Sequence, residues 1–97
     1  MDDIRFEWDP VKDAANQEKH GVSFDEARTA FFDDSARVIA DPEHSDLEDR
    51  FILLGISIKL NVLVVCHGYF EDENIIRIIS ARKADPSERA QYAQYLP

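Results

Sequence analysis

Residues 74–84 form an apolar, β-branched segment that ends in cations and contains no acidic residue. The chain has 20 acidic and 11 basic residues, and this segment carries Arg77, Arg82 and Lys83 together with the hydroxyl of Ser80. Because side chains alternate along a strand, Ser80 and Arg82 are expected on one face. Arg77 and Lys83 are expected on the other face, unless twist or a bulge changes their direction. Guanidinium groups bind phosphate through a planar fork, so the segment predicts a phosphate site.

The same cations also have simpler interpretations. Arg77 interrupts a run of isoleucines, so its alternative role is a structural ion pair with one of the many acids. Arg82 and Lys83 lie where the strand is predicted to end, and their alternative is a solvated sheet edge.

Two histidines are candidates for proton transfer, because imidazole titrates near neutral pH. His67 lies on the strand predicted beside the cationic segment, and its alternative role is a packed, hydrogen-bonded side chain. His20 follows Lys19 at a predicted helix end, where it would simply complement the helix dipole.

No metal or cofactor site is expected. The histidines and Cys66 lack ligand spacing, and the neighbours Cys66 and His67 should point to opposite faces of their strand. No glycine-rich phosphate loop occurs. Cys66 lies in an apolar run and is predicted to be a small core residue.

The overall composition predicts one domain, residues 1–97, with a small hydrophobic core. A net charge of −9 argues against a general nucleic-acid binder and favours a basic partner, although the acids could simply aid solubility. No apolar segment is long enough for a signal peptide or a membrane span, so a cytoplasmic protein is expected.

The first half of the chain predicts a strand at residues 4–8 and two helices. Asp9 and Pro10 begin the first helix and Gly21 ends it, with Val11, Ala14 and Ala15 expected on its buried face. A capping box at residues 23–26 begins the second helix, which runs to about residue 32.

The second half predicts four strands, at residues 37–40, 50–57, 61–70 and 74–84, and a closing helix at residues 86–95. The acid-rich residues 41–49 are expected to be an exposed loop. The predicted fold is α+β: a mainly antiparallel sheet, packed on one face by the two N-terminal helices, with a C-terminal helix.

Two segments together resemble BrnT-type toxins of type II toxin–antitoxin systems. One comprises residues 6–12 (FEWDPVK) with Asn16 and residues 19–27 (KHGVSFDEA), and the other is residues 77–84 (RIISARKA). The resemblance covers nearly the whole chain. It implies a RelE-like fold and metal-independent cleavage of RNA that inhibits translation. It also implies a BrnA-like antitoxin, a ribbon-helix-helix protein that alone carries the pair to operator DNA.

The resemblance and the charge pattern together define the expected site. Expected catalytic residues are Arg77, Ser80, Arg82 and Lys83, helped by His67 or His20. Expected RNA-binding residues are Lys12, Lys19, His20 and Arg50. The alternative function is a non-catalytic domain of the same fold that acts only through a basic protein partner.

Overall fold

The computed structural model of the chain describes residues 3–41 and 50–97. Its elements are β1 (Arg5–Glu7), α1 (Pro10–His20), α2 (Phe24–Thr29), a 3-10 turn (Ala30–Phe32), β2 (Arg37–Ala40), β3 (Arg50–Ile56), β4 (Val62–Phe70), a second 3-10 turn (Glu71–Glu73), β5 (Ile75–Lys83) and α3 (Pro86–Ala93). The strands form one sheet in the order β1-β5-β4-β3-β2. The β1–β5 pair is parallel and the other pairs are antiparallel. The predicted α+β fold is confirmed.

The ends of α1 follow the predicted capping residues. The Asp9 side chain accepts a hydrogen bond from the backbone N–H of Val11 at 2.8 Å, and Pro10 occupies the first turn. Gly21 ends the helix with φ of 70°, a left-handed conformation that glycine adopts without a steric penalty.

The predicted buried face of α1 is wrong. Val11 is 76% exposed, and Ala14 and Ala15 are exposed as well. The buried residue of this helix is Asn16. The reason lies in what α1 packs against, which is the edge of a strand with backbone groups that need hydrogen bonds.

Asn16 takes the place of a neighbouring strand along β5. Strand β1 pairs with β5 only from Ile75 to Arg77, so the outer edge of β5 has no strand partner beyond that point. The Asn16 amide donates to the carbonyl of Ala81 at 2.8 Å and accepts from its N–H at 3.1 Å. It also donates to the carbonyl of Val22 at 2.8 Å. One buried side chain thus satisfies three backbone groups and fixes α1 to β5.

The hydrophobic core lies between α2 and the sheet. From the helical side it contains Val22, Phe24, Ala27 and Ala30. From the sheet it contains Leu53, Leu63, Val65, Ile76, Ile78 and Ala81. Apolar burial of this kind is the main stabilising term for the fold.

Only half of the predicted capping box forms at α2. The Ser23 hydroxyl accepts from the N–H of Glu26 at 3.0 Å. The buried Glu26 carboxylate does not return to the cap, because Ser57 and Asn61 donate to it at 2.7 and 2.9 Å. This contact fixes the β3–β4 turn to α2.

A β-bulge separates the two halves of β5. His67 pairs with Ile78 and Cys66 pairs with Ser80, so Ile79 is an extra residue on β5. The alternation of side chains therefore changes phase at this point. Arg77 therefore lies on the same face as Ser80 and Arg82. This finding corrects the simple alternation of faces that was predicted from the sequence.

Helix α3 begins with a complete capping box between Asp85 and Glu88. It ends at Ala93, two residues before the predicted end. The buried Tyr92 donates its hydroxyl to Asp33 at 2.6 Å, and burial with this bond raises the pKa of Tyr92 to about 12. The helix borders the sheet face opposite α2.

The predicted exposed loop at residues 41–49 falls mostly outside the described residues. Asp41 is described, and it is only 6% exposed, so the prediction is wrong at that position. Across residues 3–41 and 50–97, no helix is long and apolar enough to cross a membrane.

Candidate active site

Five arginines project from the sheet face opposite α2 and the core. We call it the arginine face, and its arginines are Arg5, Arg37, Arg50, Arg77 and Arg82. Directly paired residues of adjacent strands share a face, which the register shows for each of them. Arg37 of β2 is paired with Leu54 of β3, Leu54 with Val64 of β4, and Val64 with Arg82 of β5. These four residues therefore form one row across the face.

One row of this face pairs two arginines across a glycine. Arg50 is opposite Gly68, and Gly68 is opposite Arg77. Adjacent strands lie about 4.8 Å apart, so about 10 Å separates the two arginine backbones, with no side chain between them. The gap gives room for a phosphate group. Arg77 also forms an ion pair with Glu7 of β1, and both side chains are about half exposed.

Arg82 is fixed by a two-pronged ion pair. Its two terminal nitrogens donate to the two carboxylate oxygens of Glu88 at 2.8 and 2.9 Å. The Arg82 bond, assisted by the N–H of Asp85, lowers the pKa of Glu88 to about 2. Glu88 is therefore a carboxylate at neutral pH and a poor proton donor, so its role here is to orient the guanidinium.

Ser80 lies in a shallow depression of about 350 Å³ between Arg82 and the end of α1. His20 and Cys66 also border this depression. The structure thus brings a hydroxyl, an imidazole and a guanidinium together at the place where Asn16 fixes β5.

The acid-free segment in the sequence is not acid-free in space. Glu7 and Glu88 come from β1 and α3, and each pairs with one of the arginines. The ion-pair alternative for Arg77 is therefore what the structure shows, on an exposed surface and not inside the core.

His67 lies on the opposite side of the sheet from the arginines. It is 4% exposed, and its ring packs edge-on against the ring of Phe31. The distance between ring centroids is 4.7 Å to Phe31 and 6.0 Å to Phe51. Burial lowers the pKa of His67 below its usual 6.5, although the contact with the Val65 carbonyl opposes the shift. The structure therefore does not bring His67 together with Arg77, Ser80 and Arg82.

Stability should fall on acidification because of His67. The pKa of His67 is lower in the folded chain than in the unfolded chain, where it is about 6.5. Below about pH 6.5 the unfolded chain therefore binds the proton more readily, and the free energy of unfolding decreases until the pH reaches the pKa of His67 in the folded chain. Urea unfolding should give a lower unfolding free energy at about pH 5 than at about pH 7. His67→Gln should reduce that difference. An unchanged difference in His67→Gln would contradict this assignment.

The remaining predicted residues occupy other positions. Lys83 pairs with the core residue Leu63 and leaves β5 on the side away from Arg82. Lys12 and Lys19 are exposed and two turns apart on one side of α1. The depression at Ser80 is lined by other residues.

Sequence reasoning missed three members of the arginine face, which are Arg5, Arg37 and Cys66. Arg37 begins β2 and stacks on the Tyr95 ring at 4.5 Å, in a strand too short to suggest a site. Cys66 is half-buried on this face and not in the core, with its sulfur 3.9 Å from the Asp41 carboxylate. The available signal for Arg37 was its position at the start of a predicted strand, which it shares with Arg50, a residue that was predicted to bind RNA.

Within the described part of the chain, no group of three or more His, Cys, Asp or Glu side chains is placed to hold a metal ion.

Comparison with known proteins relates the chain to one family. A family model described as "Ribonuclease toxin, BrnT, of type II toxin-antitoxin system" matches residues 8–88. No curated protein sequence matches. The 1.1 Å crystal structure of the Brucella abortus ribonuclease toxin BrnT shares the fold, with a TM-score of 0.67 and 24% identity. The alignment covers 86% of this chain and 99% of that one. Because the family model spans most of the sequence, the chain belongs to the BrnT family of ribonuclease toxins of type II toxin–antitoxin systems.

Proposed function

We propose that the chain is an endoribonuclease that cleaves RNA on the arginine face and thereby inhibits translation. One observation carries the proposal: the bulge at Ile79 turns Arg77, Ser80 and Arg82 to the same side of the sheet. Without the extra residue, Arg77 would point away from the other two. A single surface then offers fixed guanidinium groups for adjacent phosphates.

Each residue has a proposed part in the cleavage. The ribose 2′-oxygen attacks the adjacent phosphorus, and the bond from phosphorus to the 5′-oxygen breaks. Arg77 and Arg82 stabilise the negative charge that develops on the phosphoryl oxygens. Ser80 donates a hydrogen bond to the same group, and Arg50 binds a neighbouring phosphate.

Proton transfer is assigned to His20, because it borders the depression that contains Ser80 and Arg82. Its imidazole takes the proton of the 2′-hydroxyl or supplies one to the leaving 5′-oxygen. Lys12 and Lys19, on the same helix, extend the positive surface along the RNA strand. Lys83 contributes charge from the far side of the β5 end.

The direct test is to incubate the purified chain with RNA and analyse the ends produced. The proposed reaction yields a 2′,3′-cyclic or 3′-phosphate on one fragment and a 5′-hydroxyl on the other. Expression of the chain alone in bacteria should also arrest growth and protein synthesis. Intact RNA together with normal growth would contradict the proposal.

Cleavage should not depend on added metal. The RNA supplies its own nucleophile, and the arginines supply the positive charge that a metal ion supplies in other nucleases. The rate with EDTA should therefore match the rate without it, with a known magnesium-dependent ribonuclease as the positive control for chelation. Loss of activity in EDTA that magnesium restores would show a different reaction class.

The partner that neutralises the chain is proposed to be a BrnA-like antitoxin. Membership of a type II toxin–antitoxin family supports an antitoxin in general. A ribbon-helix-helix antitoxin would bind operator DNA itself, and the acidic toxin would reach the DNA only through it. The net charge of −9 should speed association with a basic protein at low salt.

One observation favours the alternative of a non-catalytic domain. Arg77 and Arg82 both have carboxylate partners in the free chain. If these pairs only stabilise the fold, the chain would bind its protein partner without cutting RNA. The cleavage assay above distinguishes the two functions.

A further inference from the structure

A groove with an apolar floor lies on the arginine face beside α3. Its volume is about 440 Å³, and Arg37 and Arg82 are among the residues that line it. Four aliphatic side chains from adjacent strands form the floor: Ile39, Ile52, Leu54 and Val64. Grooves of about 300–1,000 Å³ are large enough to bury several side chains of a ligand.

Part of the apolar surface on the floor of the groove is exposed to solvent and is not packed against the rest of the described chain. Ile39 is 61% exposed on the edge strand β2. Leu54 and Val64 beside it are only half-buried. Exposed aliphatic surface framed by charged residues is typical of protein-binding sites.

The two cations of the groove are held in place. Arg37 stacks on the Tyr95 ring at 4.5 Å, and Arg82 is held by Glu88. Fixed guanidinium groups lose little freedom when a carboxylate binds them, so they favour acidic side chains beside the aliphatic ones.

We infer that this groove is the docking site for a segment of the antitoxin that carries aliphatic side chains flanked by Asp or Glu. The inference rests on the proposed function, from which the antitoxin is taken. RNA fits the groove poorly, because it has no aliphatic groups to cover Ile39 and Leu54. A second copy of the chain would bring a net charge of −9 against another −9.

A segment docked here would also block the proposed reaction. Its carboxylates would compete with Glu88 for Arg82, and its chain would cover the approach to Ser80. Neutralisation then follows from occupation of the groove, with no change required elsewhere in the fold.

The test uses two adjacent residues of β2 that point to opposite faces. Ile39→Glu places a charge in the groove, whereas Val38→Glu places the same charge on the other side, and Val38 is similarly exposed at 52%. The probe is the protein product of the gene next to the one that encodes this chain, purified and titrated against each variant. Ile39→Glu should weaken binding on the order of 100-fold, and Val38→Glu by less than about threefold.

A second pair of variants tests the sign of the charge. Gln91 is exposed on α3 and lines the groove. Gln91→Lys should tighten binding of an acidic segment several-fold, and Gln91→Glu should weaken it several-fold. Both substitutions are compatible with a surface helix, and melting curves confirm that each variant is folded.

Several outcomes would overturn the inference. These are equal antitoxin affinity for Ile39→Glu and Val38→Glu, no binding of the wild-type chain, or tighter binding by Gln91→Glu. A wild-type dimer that Ile39→Glu dissolves, with antitoxin binding intact, would make the groove a self-interface. Loss of RNA cleavage without loss of antitoxin binding would assign the groove to RNA. If the wild type cuts no RNA but Ile39→Glu still releases the antitoxin, the proposed nuclease fails and the groove assignment stands.

Discussion

Arg82→Ala is expected to slow RNA cleavage about 100-fold or more without unfolding the chain, and Arg77→Ala should have a similar effect. Both arginine side chains are about half exposed, and the carboxylates left without them, Glu7 and Glu88, are 42% and 25% exposed and therefore reach solvent. The loss would come from the charge that each guanidinium presents to the phosphoryl group in the transition state. Rates with a defined oligoribonucleotide measure the effect, and circular dichroism with melting curves checks the fold.

Two control variants separate catalysis from structure. Glu88→Ala breaks the same ion pair as Arg82→Ala but keeps the guanidinium, so it should lose clearly less activity than Arg82→Ala. Arg28→Ala removes another half-exposed arginine, one that pairs with Asp25 on α2 and lies away from the arginine face. It should cut RNA at the wild-type rate.

The result that would reject the site is specific. If the well-folded double variant of Arg77 and Arg82 still cuts RNA at the wild-type rate, the arginine face is not the catalytic surface. If Glu88→Ala loses as much activity as Arg82→Ala, the ion pair and not the guanidinium charge accounts for the effect.

The sequence predicts the parts of the fold that depend on near neighbours. Asp9 with Pro10, Gly21, and Asp85 with Glu88 act within one helical turn, and all of them cap helices as predicted. The β-branched runs likewise become strands near the predicted bounds. Local spacing contains this information because the contacts involved are local.

The candidate site depends on contacts that spacing cannot reveal. Glu7 pairs with Arg77 from 70 positions away in the chain, so residues 74–84 appeared to have no counter-charge. The bulge at Ile79 is set by how β5 meets β4, and it alone decides that Arg77 joins Ser80 and Arg82. The isoleucines at positions 75, 76, 78 and 79, which run up to and include the bulge, give no sign of the change in phase.

The buried face of α1 also depends on a contact that the spacing of residues in the sequence does not reveal. Val11, Ala14 and Ala15 have the spacing of a buried stripe, but α1 packs on a strand edge and not on a sheet face. Such an edge presents N–H and C=O groups, so hydrogen bonding selects Asn16 over alanine. Hydrophobic periodicity alone does not contain that choice.

Asn16→Leu should therefore lower the free energy of unfolding by about 3 kcal/mol, although leucine is similar in size and more apolar. The change removes the partners of the Ala81 N–H, the Ala81 carbonyl and the Val22 carbonyl, and each buried unsatisfied group costs about 1–3 kcal/mol. Gln17→Leu, on the exposed side of the same helix, should change stability by less than about 0.5 kcal/mol. Urea titrations of both variants at neutral pH measure the difference.

Asn16 also connects stability to the proposed chemistry, because Ala81 lies between Ser80 and Arg82. When the outer edge of β5 is released, these two side chains lose their fixed direction even in molecules that remain folded. Asn16→Leu should then cut RNA more slowly than its folded fraction predicts, whereas Gln17→Leu should not. If Asn16→Leu is as stable as the wild type, the hydrogen bonds of Asn16 do not stabilise the outer edge of β5. If it is less stable but fully active per folded molecule, the edge supports the fold without positioning the site.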